Sequence, residues 1–357
     1  MKKIVIACDS YKGCLSSSEV SDAVAEGVSE AYPDCEVVRL AVADGGEGTV
    51  EALVDTLGGH LEWAEVSDPL ERPVRAAYGV AGDLAIIESA AACGLTLLSK
   101  EERNPLIATT KGLGELILAA VDKGCRRFLI GLGGSATNDG GMGMIGVEGF
   151  LEKTRGLRFT IACDVDTPYI GKNGASRVFG PQKGASGQDV EVLEERLRGY
   201  ALKISEDTGI DVSNMPGAGA AGGLGGAFRA YLGAELKRGV DLVLDQIGFD
   251  SVIVGADLVI TGEGCSDYQT LKGKTAVGVL ERAERLNIPV ALVSGAVRDE
   301  KMLRDRGFRI VEAVTPPSMS LEEAMRPETA KHLVAVATRN ILHQFCIYYQ
   351  VLHMRNH

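Results

Sequence analysis

The sequence predicts an α/β protein of two α/β domains, in which a Rossmann-like, mostly parallel sheet domain carries an inserted second domain. Three observations support this. The chain has 357 residues, enough for two domains at about 150 residues each. Short apolar runs alternate with helical patterns, the arrangement of strand–helix–strand units. Glycine is in excess, because it accounts for 45 of the 357 residues, well above its usual share of ~7%. Several glycine clusters directly follow apolar runs.

The elements follow from local patterns. The first is a strand over 3–8, and Ser16 with Glu19 then forms a capping box that opens a helix. That helix ends at Pro33 and Asp34. The middle of the chain, about 150–240, is less regular. The other predicted elements are strands over 36–42, 127–132, 257–261 and 290–294 and helices over 114–121 and 275–286.

These elements lead to a division of the chain. We assign residues 1–58, 107–145 and 240–345 to a discontinuous Rossmann-like domain, 59–106 and 146–239 to the second domain, and 346–357 to a tail.

Composition excludes several classes of protein. The net charge of −12 argues against a nucleic-acid binder or a polybasic membrane-surface protein. No apolar stretch approaches the ~20 residues of a membrane span, and the N-terminal apolar run is too short for a signal peptide. Eight scattered cysteines without a CxxC pair indicate reduced thiols in a cytoplasmic protein and no zinc site. The oligomeric state stays open, a homo-oligomer included.

Two glycine–acid clusters follow the first two strands. Residues 9–13 (DSYKG) place an Asp and a Lys before a helix, which suits a metal–phosphate group. The alternative is an ordinary loop with a solvated Lys. In residues 43–49 (ADGGEGT), the glycines can present backbone N–H groups to an anion. Asp44 and Glu47 there can hold Mg²⁺ or accept a hydroxyl proton.

Residues 131–141 (GLGGSATNDGG) form a third cluster, of which 131–136 fits G-x-G-x-x-A. The polar residues that follow are a poor opening for the helix of a dinucleotide fingerprint, so a cradle for phosphate or a small polyol acid is favoured. A fourth cluster, 216–226 (PGAGAAGGLGG), follows no strand. It predicts a helix N-terminus close to phosphate, or close packing alone.

The last cluster is 261–267 (TGEGCSD), followed by KGKT at 272–275. A P-loop would need Gly where Tyr268 stands, so Walker A is rejected. Glu263 and Asp267 remain as carboxylates for a metal or a base.

In their order along the chain, these clusters resemble the bacterial-type glycerate kinases, the glycerate 2-kinases, over nearly the whole chain to about residue 340. The matching stretches are 9–13, 43–49, 133–141, 162–165 (ACDV), 173–176 (NGAS), 179–185 (FGPQKGA), 216–223 and 261–264. The resemblance implies a phosphotransferase with an alcohol group as acceptor. It would phosphorylate D-glycerate with ATP and Mg²⁺, to 2-phosphoglycerate or 3-phosphoglycerate, in a cleft between two α/β domains.

The clusters and the resemblance together give a set of candidate site residues. Lys12 and Lys183 are expected to face ATP phosphates or the substrate carboxylate. Asp44 and Glu47 are expected to hold Mg²⁺ or to orient the attacking hydroxyl. One of the further acids, Asp164, Glu263 or Asp267, is a candidate base. The catalytic candidates are Lys12, Asp44, Glu47, Asp164 and Asp267. The substrate- or phosphate-binding candidates are Asp9, Ser10, Gly45, Gly46, Gly133, Gly134, Ser135, Thr137, Asn138, Asp139, Asn173, Gln182, Lys183, Gly217, Gly219 and Glu263.

The chain departs from the family pattern in three places. It is shorter between Gly146 and Ala162, which would trim a hairpin or lid, and Cys265–Ser266 stand where the family has Arg and an apolar residue. The aromatic end, 345–349, is unlike the usual tail. Two alternatives stay open, a kinase for another small hydroxy acid and a non-catalytic glycerate-binding or sensing homologue. A third alternative, a nicotinamide oxidoreductase, is supported only by the two weak G-x-G-x-x matches.

Overall fold

The computed structural model divides into two compact units. Unit 1 comprises Met1–Asp44 and the chain from Val243 onward, and unit 2 comprises Gly45–Leu242. The structure describes residues 1–46 and 48–355, with the backbone alone for Lys272 and residues 348–355. Both units combine helices with a parallel-rich sheet, so the predicted α/β class and the two-domain arrangement are confirmed.

Eleven strands lie in the part of the chain that the structure describes. They are β1 Lys3–Cys8, β2 Glu36–Ala41, β3 His60–Ser67, β4 Pro73–Ala81, β5 Leu84–Glu88, β6 Arg127–Gly131, β7 Arg158–Ala162, β8 Glu235–Lys237, β9 Leu258–Ser266, β10 Val290–Val297 and β11 Ile310–Ala313.

The α-helices of the same residues vary from one turn to eight. They are α1 Ser17–Ala31, α2 Thr49–Leu57, α3 Ala90–Cys93, α4 Lys111–Asp122, α5 Met142–Ile145, α6 Phe150–Lys153, α7 Ala175–Phe179, α8 Gly187–Thr208, α9 Ala220–Leu232, α10 Gly239–Gln246, α11 Phe249–Val252, α12 Thr275–Arg285, α13 Glu300–Arg306, α14 Leu321–Ala324 and α15 Pro327–Arg355.

Unit 1 is built on a five-stranded sheet in the order β11-β10-β9-β1-β2. All of its pairings are parallel, so the carboxyl ends of its strands share one edge, where ligands bind in open α/β sheets. The interior strand β1 is almost entirely buried, as its apolar run predicts. Helix α1 begins with the predicted capping box, because Ser16 and Glu19 each accept from the other's backbone N–H.

Unit 2 is built on a six-stranded sheet in the order β3-β4-β5-β6-β7-β8. The strands β5 to β8 are parallel, and the hairpin β3–β4, which the sequence analysis did not predict, adds two antiparallel strands at one edge. Its core includes Phe128 and Phe159 with ring centroids 4.7 Å apart, and Phe228 of α9 beside them.

The predicted boundaries differ from those of the units. Segment 107–145 was assigned to the Rossmann-like domain, but its strand β6 pairs with β5 and β7 and lies in unit 2. Residues 45–58 also lie there. The physical reason is strand pairing between segments distant in sequence, which local patterns do not specify. The predicted tail from 346 continues α15 as far as Arg355. Within the described residues, no helix is long and apolar enough to cross a membrane.

Candidate functional site

Asp9 directly follows the first strand of unit 1, β1, and is buried. Its Oδ2 accepts a hydrogen bond from Thr275 Oγ1, the first residue of α12, at 2.5 Å. Its Oδ1 accepts one from the backbone N–H of Ser10 at 2.7 Å. Burial raises the pKa of Asp9 to about 6, with a smaller contribution from the charge of Asp44, while Lys12 opposes the shift. Asp9, Asp44 and the exposed Lys12 therefore form one electrostatically coupled group.

Glu263 lies on β9 at the same edge of that sheet. Its Oε1 accepts hydrogen bonds from Ser266 Oγ at 3.0 Å and Thr270 Oγ1 at 2.5 Å, and Lys274 Nζ lies 3.9 Å from its Oε2. Burial raises the pKa of Glu263, and the charge of the nearby Asp267 adds to this. Because Oε1 is held by two hydroxyls, the side chain is fixed in one orientation.

Asp267 and Ser266 have local roles beside Glu263. Asp267 Oδ1 accepts a hydrogen bond from the backbone N–H of Gln269 at 2.7 Å, which forms an Asx-turn. Ser266, one of the departures from the family pattern, is buried. Its hydroxyl also lies 2.7 Å from Ser294 Oγ, so Ser266 helps to orient the Glu263 carboxylate.

In unit 2, the 45–48 loop, defined as residues 45, 46 and 48, packs against the ends of two strands. A Cβ on Gly131, at the end of β6, would collide with the carbonyl oxygen of Gly45. A Cβ on Gly45 would lie 2.6 Å from Ala162 Cβ and 2.8 Å from Gly239 Cα, and Gly239 N–H donates to Asp164 Oδ1 at 2.9 Å. Glycine is needed at these positions because backbone meets backbone. The structure thus brings together the second cluster, the third cluster and the segment 162–165.

The third cluster presents two different faces. Gly133 and Gly134 are exposed, whereas residues 135–139 are buried. Asn138 Nδ2 donates to Ser176 Oγ at 2.9 Å. Where a phosphate cradle was predicted, the structure therefore has an exposed Gly–Gly backbone next to buried side chains.

Asp139 is the most heavily bonded of those supporting side chains. Its Oδ2 accepts from the backbone N–H and the hydroxyl of Thr110, at 2.8 and 2.9 Å, and from Gly143 N–H at 3.1 Å. Its Oδ1 accepts from Gly141 N–H at 3.1 Å. Asp139 consequently joins the third cluster to the first turn of α4.

Lys183, a candidate phosphate ligand from the sequence, is 2% exposed. Its Nζ donates to Ser135 Oγ at 3.0 Å and to the carbonyl oxygen of Thr137 at 2.6 Å. Burial lowers the pKa of Lys183 to about 8. The lysine thus holds the third cluster from within.

The fourth cluster packs on the third. Ala221, Gly222 and Gly223 have positive φ angles at the start of α9. A Cβ on Gly222 would collide with the carbonyl oxygen of Thr137, and one on Gly223 would lie 2.6 Å from Gly140 Cα. Close backbone packing, the alternative noted from the sequence, accounts for these two glycines.

Sequence reasoning missed Glu88, at the end of β5. Its Oε1 accepts hydrogen bonds from Thr49 N–H at 2.9 Å and Val50 N–H at 3.3 Å. Burial raises the pKa of Glu88 to about 7, with a further contribution from Glu51. Its only sequence signal is an acid that ends the apolar run LAIIE.

The other predicted residues are placed as follows. Gly217 and Gly219 are buried, Asn173, Gln182 and Asp164 are exposed, and Ser10 and Gly46 are partly exposed. Glu47, predicted as a catalytic and metal-binding residue, lies outside the described residues. The structure therefore collects the candidates in two groups, one in each unit.

Comparison with known proteins gives consistent matches over nearly the whole chain. A family model described as the Glycerate kinase family matches residues 4–151 and 145–346. The chain is 42% identical over 370 residues to the "Glycerate 2-kinase" of Escherichia coli, covering 95% of this chain and 97% of that protein. It is 42% identical over 353 residues to the "Glycerate kinase" of Bacillus subtilis, covering 90% and 92%.

A solved structure is similar too. It is described as a putative glycerate kinase 2 from Salmonella typhimurium, with a TM-score of 0.86 and 40% identity, covering 98% of this chain and 100% of that one.

Proposed function

Since this chain belongs to the glycerate kinase family and is therefore a phosphotransferase with an alcohol group as acceptor, we propose that it transfers the γ-phosphoryl group of ATP to D-glycerate. We assign the C2 hydroxyl as the acceptor, which gives 2-phosphoglycerate and ADP. The observation that carries this proposal is the match to the family over nearly the full chain. The printed name of the Escherichia coli relative, glycerate 2-kinase, supports the choice of hydroxyl.

The chemistry of the two groups of residues supports phosphoryl transfer. This reaction depends on positioning and on neutralising the charge of the phosphates, with little covalent chemistry for the protein to perform. In unit 2, the exposed backbone of Gly133 and Gly134 can donate N–H groups to a phosphate or to the substrate carboxylate. In unit 1, the exposed Lys12 next to Asp9 supplies a cation for the same purpose.

A carboxylate to accept the proton of the attacking hydroxyl is also present. We assign this role to Glu263, because burial raises its pKa and a raised pKa makes a carboxylate a better base. Two hydroxyls hold its Oε1, which fixes the direction of the carboxylate. Asp267 and Asp164 fit the role less well, because each accepts from a backbone N–H of its own surroundings.

The residues present fit a magnesium ion. Mg²⁺ in kinases is commonly held by one or two carboxylates together with substrate phosphates. No group of three or more His, Cys, Asp and Glu side chains in the described part of the chain is arranged to hold a metal, but the coupled pair Asp9 and Asp44 supplies two carboxylates. These two would hold the ion, which when bound neutralises charge on the ATP phosphates.

The experiment is an ADP-release assay with purified full-length protein, ATP, Mg²⁺ and D-glycerate, with the product identified by NMR. We expect ADP formation that depends on D-glycerate and a product phosphorylated at C2. A panel of other small hydroxy acids tests the alternative substrate. A folded protein that binds D-glycerate without forming ADP would instead be the non-catalytic homologue.

A further inference from the structure

The first turn of α2 is capped by a side chain from strand β5, that of Glu88. Its N-cap is Gly48, which has φ +88 and no side chain to satisfy the first amides of the helix. Buried amides at a helix start need an acceptor from elsewhere. Glu88 Oε1 supplies it, at 2.9 Å from Thr49 N and 3.3 Å from Val50 N, and Thr49 N–H is shared with the carbonyl oxygen of Gly46 at 3.3 Å.

Glu88 also lies beside the other end of the 45–48 loop. It is paired with Gly131 across β5 and β6. A Cβ built on Gly131 would collide with the carbonyl oxygen of Gly45 and would lie 4.0 Å from Glu88 Cγ. The loop therefore begins against the Glu88–Gly131 strand pair and ends at amides that Glu88 holds.

We propose that Glu88 is a positioning residue for phosphoryl transfer, whose carboxylate sets the conformation of the 45–48 loop by holding the Thr49 and Val50 amides. The role of the loop in the reaction rests on the proposed function, which assigns phosphate or substrate binding to the backbone of Gly133; a Cβ built on Gly133 would lie 3.6 Å from Gly46 Cα of the loop. The Thr49 and Val50 amides at the start of α2 therefore already have a protein acceptor.

The test variant is Glu88→Gln, which keeps the shape and one acceptor oxygen but removes the charge. A matched control is Glu115→Gln. Glu115 is a carboxylate of the same unit that also accepts from a backbone amide, that of Ser67, at 2.6 Å. Ser67 ends β3, which lies two strands away from β5.

Loss of a charge-assisted hydrogen bond at a positioned loop is expected to lower kcat of Glu88→Gln about tenfold. KM for ATP and for D-glycerate should stay within about a factor of two, because positioning acts on the transition state. Glu88→Asp, whose carboxylate is one methylene shorter, should be at least as slow. Glu115→Gln should keep the kcat of the wild type.

Hydrogen exchange measured by mass spectrometry gives a readout besides activity. Peptides covering 45–54 should exchange faster in Glu88→Gln than in the wild type and in Glu115→Gln. An active wild type together with unchanged kcat and unchanged exchange in Glu88→Gln would overturn the inference. An inactive, folded wild type would instead overturn the proposed function, and faster exchange in Glu88→Gln would still support the contact on the loop.

Discussion

The buried charge of Lys183 leads to a pH-dependent prediction for stability. Its Nζ is fully enclosed and its pKa is lowered from the ordinary 10.5 to about 8. Below pH 8 the lysine is protonated in both the folded and the unfolded chain. Between pH 8 and 10.5 only the unfolded chain keeps the proton, so the free energy of unfolding rises with pH. The shift from 10.5 to about 8 corresponds to about 3 kcal/mol.

The perturbation is Lys183→Met, an unbranched side chain without a charge. Urea unfolding followed by circular dichroism gives the free energy of unfolding of both proteins from pH 7 to 10.5. The free energy of unfolding of the wild type minus that of the variant should rise by up to about 3 kcal/mol between pH 7 and 10.5. Titrations that are common to both proteins cancel in this difference.

Lys111→Met is the control, because Lys111 is partly exposed and its Nζ lies 2.7 Å from Glu71 Oε2. The hydrogen bond and the charge of Glu71 raise the pKa of Lys111. The stability that this ion pair contributes therefore falls as pH rises through that pKa, the opposite direction to Lys183. A wild type minus Lys183→Met difference that is flat across pH 7 to 10.5 would refute the burial of a charged lysine.

Three further predictions concern other side chains. Lys12→Ala should lower kcat/KM by roughly a hundredfold or more in steady-state assays, with an unchanged circular dichroism spectrum, and near-normal turnover would remove Lys12 from the site. Asp139→Ala should lower the free energy of unfolding by roughly 3 kcal/mol, because buried donors lose their acceptor. A loss under about 1 kcal/mol in urea unfolding would contradict the conclusion that Asp139 connects α4 with the third cluster. Ser16→Ala should cost about 1 kcal/mol in the same measurement, and no change would argue against the capping box.

Local patterns predicted those features that depend on neighbouring residues. The strand Lys3–Cys8 and the capping box of Ser16 and Glu19 follow from apolar runs and helix-start chemistry. The glycine clusters were recognised from the sequence, with close packing as one alternative for the fourth. Their contacts in unit 2, where 45 meets 131 and 222 meets 137, were not predicted. The excess of glycine there reflects backbone in contact with backbone.

Features that depend on distant pairing were not predicted. The place of β6 between β5 and β7 moved segment 107–145 from the predicted Rossmann-like domain to unit 2. The burial of Lys183 under Ser135 and Thr137 is equally invisible in sequence, where a lysine among glycines resembles an exposed phosphate ligand. Glu88 went unnoticed because its partners lie 38 and 39 positions away.

The most direct test of the account is ADP release by the full-length protein in the presence of ATP, Mg²⁺ and D-glycerate. We expect ADP formation that requires D-glycerate and yields 2-phosphoglycerate by NMR. A folded protein that releases ADP at the same rate with and without D-glycerate would contradict the proposed function.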